Sequence, residues 1–136
     1  MPGQLVGQFH SASLSAALTT TTVYTTLQPG VYRVSWYCKK VAADGASSTT
    51  GALTLAWTEV DTTAMSYTCP AFIPAGTVAT QNATDSATVT GTMIGVPLLI
   101  NCAASTNITI AMAYASGTPG NMKYNLHVMV ERWDFN

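Results

Sequence analysis

Charged side chains are scarce in this chain. Only 8% of its 136 residues are Asp, Glu, Lys or Arg, whereas about 25% is usual for a soluble domain. Five basic residues against six acidic ones give a net charge of −1, so the chain lacks the basic surface that nucleic acid or an anionic membrane would bind. We therefore expect neither as a partner. Because a net charge near zero favours association, we expect an oligomer or a lattice component.

Long apolar runs are also missing, although 48% of the residues are hydrophobic. No stretch approaches the roughly 18 consecutive apolar residues of a transmembrane helix. Residues 1–8 contain neither a basic segment nor a compact apolar segment, so no secretory signal is expected. We expect synthesis in the cytoplasm of the cell that makes the protein.

Cysteine is limited to Cys38, Cys69 and Cys102. The three are odd in number and widely spaced, and none lies in a Cys-x-x-Cys pair, which argues against a disulfide framework and a zinc site. We expect buried thiols that behave as small hydrophobic residues, in a protein made in a reducing compartment.

Groups that could act in catalysis are equally few: His10, His127, four Asp and two Glu. His127 has no carboxylate or nucleophile near it in the sequence, and nothing places His10 beside it, so we expect no site from the two. Serine without an oriented base is inert, and the chain has neither a Gly-x-Ser-x-Gly motif nor a glycine-rich phosphate loop. The prediction is a protein that is not an enzyme, with no catalytic residue, metal or cofactor.

Two other groups admit a functional and a structural interpretation. Glu59 and Asp61 could bind Ca²⁺ if more oxygen donors joined them, but a solvated turn is favoured. Trp36 and Trp57 could be sugar-stacking platforms, but both are in phase with aliphatic residues, which favours the core. Trp133 is in the opposite phase and is expected to dock on a neighbouring surface.

What the sequence does contain is alternation of apolar and polar residues with a period of two. The clearest cases are residues 31–41 and 122–133, each typical of a half-buried strand, the second expected at a sheet centre. In residues 94–102, Ile94 and Ile100 are expected on one face, while Pro97 indicates an edge or a bulge. The remaining expected strands are 5–10, a threonine-rich run through Thr26, 52–60, 64–69, 87–93 and 108–114.

About eight to ten short strands with no helix indicate an all-β fold, a single-domain antiparallel β-sandwich or jelly roll over residues 1–136. Residues 1–26 are expected to form an N-terminal arm or the first strands. A turn at 117–120 is expected to join the last two strands as a hairpin, and 42–51 is the most loop-like stretch.

Three segments carry a resemblance: PGVYRVSWY at 29–37, LTLAWT at 53–58, and residues 108–131. Together they resemble small phage virion proteins of the trimeric jelly-roll type, which are similar in layout to tumour-necrosis-factor and complement globular-head domains. The resemblance is weakest over the first 25 residues and the middle of the chain. It implies a homotrimer whose last strand lies at the trimer centre, found on a phage head or at a tail tip.

We therefore expect a virion structural protein, made in the host cytoplasm, that binds the outside of a phage head as a decoration or cement protein. Its partners would be copies of itself and the major capsid protein. The alternative is a receptor-binding module at a tail tip, with loops such as 42–51 or 80–86 binding host glycan. A cellular lectin-like domain would need an export signal.

Candidate contact residues fall into two sets. Glu131 and Arg132 are expected to pair across a three-fold axis, and Lys40 is expected on or beyond the wetter face of the early strand, like Lys39. The expected subunit or capsid interface contains Phe9, His10, His127, Glu131, Arg132, Trp133 and Phe135. The expected surface-contact face contains Arg33, Tyr37 and Lys39.

Overall fold

The computed structural model describes residues 3–44, 48–69, 71–72, 84–85 and 91–133. These residues form β-strands and connections without a helix, which confirms the expected all-β class. None of them lies in a helix with the length and hydropathy needed to cross a membrane. The strands are β1 (Gln4–Leu14), β2 (Leu18–Thr25), β3 (Gly30–Ala42), β4 (Ser48–Thr58), β5 (Ala64–Cys69), β6 (Ala71–Phe72), β7 (Thr84–Asp85), β8 (Gly91–Gly95), β9 (Leu98–Cys102), β10 (Asn107–Ser116) and β11 (Lys123–Arg132).

The strands form two antiparallel sheets. Sheet A has the order β1-β11-β3-β8-β6, with β9 also paired to β3, and sheet B has the order β2-β10-β4-β5, with β7 paired to β4. Because β8 and β9 pair with successive parts of β3, they act as one interrupted strand. With that strand counted once and the two-residue strands β6 and β7 set aside, eight strands remain, and their order in the two sheets is that of a jelly roll. The expected sandwich is confirmed, and β11 is central, between β1 and β3.

The core lies between the sheets and follows the alternation along each strand. In β3 and β11, Tyr32, Val34, Leu126 and Val128 are at most 1% exposed. Trp36 and Trp57 are buried, so their core interpretation is confirmed. The other core side chains include Leu53, Leu55, Ile100, Ile108, Ile110, Met112, Met122, Tyr124 and Val130.

The three cysteines are free and buried, as expected. Burial raises the pKa of Cys38 and of Cys102 to about 12 and that of Cys69 to about 11. A thiol reacts as its thiolate, so these three side chains act as small apolar packing groups.

Two local expectations about connections are wrong. The turn at 117–120 does not close a hairpin, because β10 belongs to sheet B and β11 to sheet A. Turn residues reverse the chain but do not decide which sheet the next strand joins. The loop expected at 42–51 is shorter, since β3 ends at Ala42 and β4 begins at Ser48. Residues 4–25 lie largely in β1 and β2, which are edge strands of the two sheets.

Residues 94–102 form two strands, interrupted at Val96 and Pro97, where an irregularity was expected. Residues 95–97 lie opposite only Ser35 and Trp36 of β3, so this side carries one extra residue. A one-residue bulge reverses the face on which later side chains lie. Ile94 is therefore 48% exposed while Ile100 is buried, and the expectation that they share a face is wrong.

Lys40 is fully buried, contrary to the expectation that it lies on the wetter face. The inward phase of β3 continues from Cys38 to Lys40, and desolvation lowers the pKa of the Lys40 ammonium. Asp44 is buried close by in the chain, and its Oδ2 accepts hydrogen bonds from Ser116 Oγ at 2.7 Å and from the Thr118 backbone N–H at 2.6 Å. These bonds tie the chain just after β3 to the connection between β10 and β11.

Candidate functional site

The surface of sheet A that points away from the core is the candidate site, and we call it the outer face. Alternation directs the residues of β3 and β11 between the core positions to this face. Among the described residues, eleven large hydrophobic side chains are exposed, and seven of them lie here. Leu99 at 61% and Leu5 at 53% are the most exposed of the seven, which are Leu5, Val31, Tyr37, Val41, Ile94, Leu99 and Met129.

A row of rings crosses the outer face at one level. The strand register places the rings of His10, His127 and Tyr37 side by side on β1, β11 and β3, and Ile94 of β8 lies next to Tyr37. His10 Nδ1 and His127 Nδ1 are 2.7 Å apart and share a hydrogen bond. The ring of Tyr37 stacks on that of His127, with a centroid distance of 4.2 Å and an angle of 14°. The two histidines, which nothing in the sequence placed side by side, are therefore in direct contact.

The local sequence carries no signal for this histidine pair. His10 and His127 are separated by 117 positions, and only the pairing of the first strand with the last brings them together. Desolvation and the charge of His10 both lower the pKa of His127. The neutral imidazole is therefore the favoured form of His127 near neutral pH.

An ion pair lies at one end of the outer face. Arg33 Nη2 and Nε both contact Glu131 Oε2, at 2.6 and 2.7 Å, and the guanidinium lies 4.8 Å from the centroid of the Trp133 ring. The indole of Trp133 covers Gly3, where a Cβ atom would overlap it, so Trp133 is half-buried by its own chain. Arg132 turns away and donates to Gln28 Oε1 at 2.9 Å. Within the chain, Glu131 therefore pairs with Arg33.

The bulge opens a cavity of about 350 Å³ on the outer face. It forms where β8 ends and β9 begins, because the extra residue there separates the two strands. Its lining is mostly apolar and includes part of the ring row. The lining residues are Ser35, Trp36, Tyr37, Thr92, Ile94, Gly95, Pro97 and Met129.

The other predicted contact residues are divided between the two sides of the sheet. Lys39 is exposed on the outer face with Arg33 and Tyr37. Phe9 is opposite Val128 and packs against the core, since it falls in the inward phase of β1, so its side chain is not part of the outer face. Phe135 lies outside the described residues, as does most of the 80–86 loop, of which residues 84–85 form β7.

Glu59 and Asp61 have separate partners at the turn after β4. Glu59 Oε1 accepts a hydrogen bond from Trp57 Nε1, and Asp61 Oδ1 accepts one from the Thr63 backbone N–H, both at 2.9 Å. The bond from Thr63 lowers the pKa of Asp61. Within the part of the chain that the structure describes, no group of three or more His, Cys, Asp or Glu side chains could hold a metal ion. The geometry agrees with the turn interpretation.

No protein family and no curated protein matches this sequence. Among solved structures, the chain has a weak similarity to infectious bursal disease virus, strain Gx, at 14% identity and a TM-score of 0.27 over 99% of this chain. The Gt strain of the same virus gives 14% identity and a TM-score of 0.24 over 97% of this chain. The chain spans 37% of the length of each viral chain. A similarity at this level says nothing about the role of this protein.

The outer face is suited to binding another surface. It offers apolar area, a cavity, stacked rings and an ion pair whose charges neutralise each other. A face of this kind gains free energy when another surface removes it from water.

Proposed function

We propose that this chain is a non-enzymatic virion structural protein, a homotrimer that binds the outside of a phage head and stabilises neighbouring capsid subunits. The observation that carries the proposal is the apolar outer face of sheet A. The jelly-roll strand order and the resemblance of residues 29–37 and 108–131 to trimeric phage proteins support it.

The apolar side chains on the outer face favour a permanent protein contact. A free monomer rarely leaves many large apolar side chains together on one surface. Burial of this face also leaves little charge unmatched, because Arg33 already contacts Glu131. In the proposed trimer this face, with β11 at its centre, packs against the other copies.

Trimer formation would explain stabilisation of a shell. One trimer makes three contacts with the capsid. Once the first has formed, the other two form at a high effective concentration, so each contact can be weak. With only 8% charged residues in the chain, these contacts would rest on apolar burial and shape. Binding to the shell should therefore depend little on salt.

The test begins with the mass of the purified chain by sedimentation or light scattering. Wild type should be a trimer, and Leu99→Lys on the outer face should shift the mass toward monomer. Tyr67→Lys is the matched control, since Tyr67 is 47% exposed on β5 of sheet B. A monomeric wild type, or equal masses for the two variants, would contradict the assignment of the face.

The second step mixes the trimer with undecorated phage capsids and measures co-sedimentation. Saturable binding that survives moderately raised salt is the expected result. Binding that does not saturate, or that disappears as salt rises, would contradict the proposed cement role.

The alternative function is a receptor-binding module at a tail tip, and the cavity beside Tyr37 is the observation that favours it. Aromatic rings form platforms for sugars, but glycan sites also need several polar groups, and Ser35 and Thr92 are the main ones in this lining. A trimer that ignores capsids and binds host cells would establish this alternative.

A further inference from the structure

We infer that His10 and His127 form a binding site for a divalent transition-metal ion of the Cu²⁺ or Ni²⁺ type on the outer face of sheet A. Both ligating atoms are the Nδ1 nitrogens, which lie 2.7 Å apart on residues directly opposite each other on β1 and β11. The pair lies on the face that packs against other copies in the proposed trimer, so the site is tested on the Leu99→Lys variant, which should be monomeric, as well as on wild type.

The separation of the two nitrogens matches the spacing of neighbouring metal ligands. The Nδ1 atoms are 2.7 Å apart. Two imidazole nitrogens at about 2.05 Å from one ion lie ~2.9 Å apart at a right angle and ~3.3 Å apart at a tetrahedral angle. The observed distance is closer to the right-angle value. Square-planar or octahedral ions are therefore favoured over tetrahedral Zn²⁺.

The rings are held in place before an ion arrives. His127 lies between two rings, with Tyr37 stacked at 4.2 Å and His10 at 4.1 Å between centroids. The backbone on both sides belongs to the ladder between β1 and β11, which is fixed by the fold. Little ordering of the ligands is then required on binding, so less affinity is lost to conformational entropy.

The ionisation of the pair also suits a metal. An imidazole binds a metal ion only in its neutral form. One Nδ1 carries the proton of the hydrogen bond between the rings, and that proton moves to Nε2 of the same ring through solvent when the ion binds. The charge of the metal is thus not accompanied by net proton release.

The nearest charged residues in the strand register lie at other levels of the outer face than the histidine pair. Arg33 is already bound to Glu131, at another level of the same face. Lys39, opposite Asn125, is the nearest other charged residue in the strand register. Two protein ligands leave the remaining coordination positions to water, so we expect a partly exposed site of moderate affinity.

The experiment titrates CuCl₂ and, separately, NiCl₂ into the full chain without an affinity tag, near neutral pH, by calorimetry. One ion per chain is expected, and nitrogen coupling from two imidazoles should be visible in the Cu²⁺ electron paramagnetic resonance spectrum. His10→Ala and His127→Ala should each weaken binding at least ~10-fold, the loss that follows removal of even an outer-shell partner of a metal ligand.

Gln8→Ala is the matched control, because Gln8 lies on the same strand and pairs with Met129 on the outer face. It should bind like wild type. Unfolding curves confirm that each variant is folded, and His10→Asn and His127→Asn replace any alanine variant that is not. Equal affinity in wild type and both histidine variants, or spectra without imidazole nitrogen, would overturn the assignment. Binding by Leu99→Lys but not by wild type would place the pair inside the trimer contact, whereas binding by neither would overturn the site, so the two proposals can fail separately.

Discussion

The two sides of the β3–β11 ladder use the same backbone for different purposes. Facing the core, Val34 pairs with Val130 and Trp36 with Val128, and all four side chains are at most 3% exposed. Facing outward, Arg33 pairs with Glu131 and Tyr37 with His127, where rings and an ion pair lie beside exposed apolar groups. The inner side should therefore control stability, while the outer side should control what the protein binds.

Truncation on the inner side is the strongest test of this comparison. Leu126→Ala removes a fully buried side chain, and such cavities cost about 2–5 kcal/mol of unfolding free energy. In the monomer, Met129→Ala, three positions along β11 on the outer face, should change it by less than about 0.5 kcal/mol. Denaturant unfolding of both variants measures the difference. Similar losses for the two would mean that the two sides contribute equally to stability.

A substitution at Gly95 tests the contact with Trp36, a core side chain that also lines the cavity on the outer face. A Cβ atom at Gly95 would overlap the Trp36 indole, so Gly95→Ala should destabilise the protein by about 1–3 kcal/mol through overpacking. Trp36 also lines the outer cavity, so its fluorescence should shift as the ring moves. If Gly95→Ala is harmless, the ring has space that this geometry does not show. The Trp36→Phe background should reduce the effect, because the smaller ring lacks the overlapping atoms.

Much of the inner side could be predicted from the sequence, because alternation is a local property. Residues 31–41, 64–69 and 108–114 lie within strands β3, β5 and β10, as their patterns indicated. Lys40 also falls in the inward phase, but charged side chains are so seldom buried that its charge argued against that position. The phase of a strand was in that case the better guide.

The outer site could not be predicted, because it depends on pairing and on the bulge. His10 and His127 meet only because β1 pairs with β11, and nothing in the local sequence specifies that partner. Ile94 reaches the outer face because of the extra residue at 95–97, whereas Pro97 alone indicated an irregularity without its effect on phase. Sheet assignment of β10 and β11 was missed for the same reason.

The ion pair of Arg33 and Glu131 should make a smaller contribution than either core variant. The two side chains are 36% and 22% exposed, and solvent weakens such pairs to about 0.2–1 kcal/mol. A double-mutant cycle with Arg33→Ala and Glu131→Ala measures the coupling energy. The coupling should fall as salt is added, because screening acts on exposed charges. A larger coupling that is insensitive to salt would place the pair with the core and not with the outer face.

The smallest expected effect is the pH dependence that arises from His127. Its pKa lies below the ordinary value of 6.5 in the folded chain, because of desolvation and the charge of His10. The unfolded chain then binds the proton more tightly, so stability should fall as the pH is lowered through the ordinary imidazole range and rise again above it. Asp61, whose pKa is also lowered, titrates below this range and does not account for the change. Between acidic and neutral pH, the unfolding free energy of wild type should therefore rise more than that of His127→Gln, which lacks this titration. Denaturant unfolding of both proteins at several pH values measures the difference. An identical pH dependence in the two proteins would mean that the ionisation of His127 does not affect the stability of the fold.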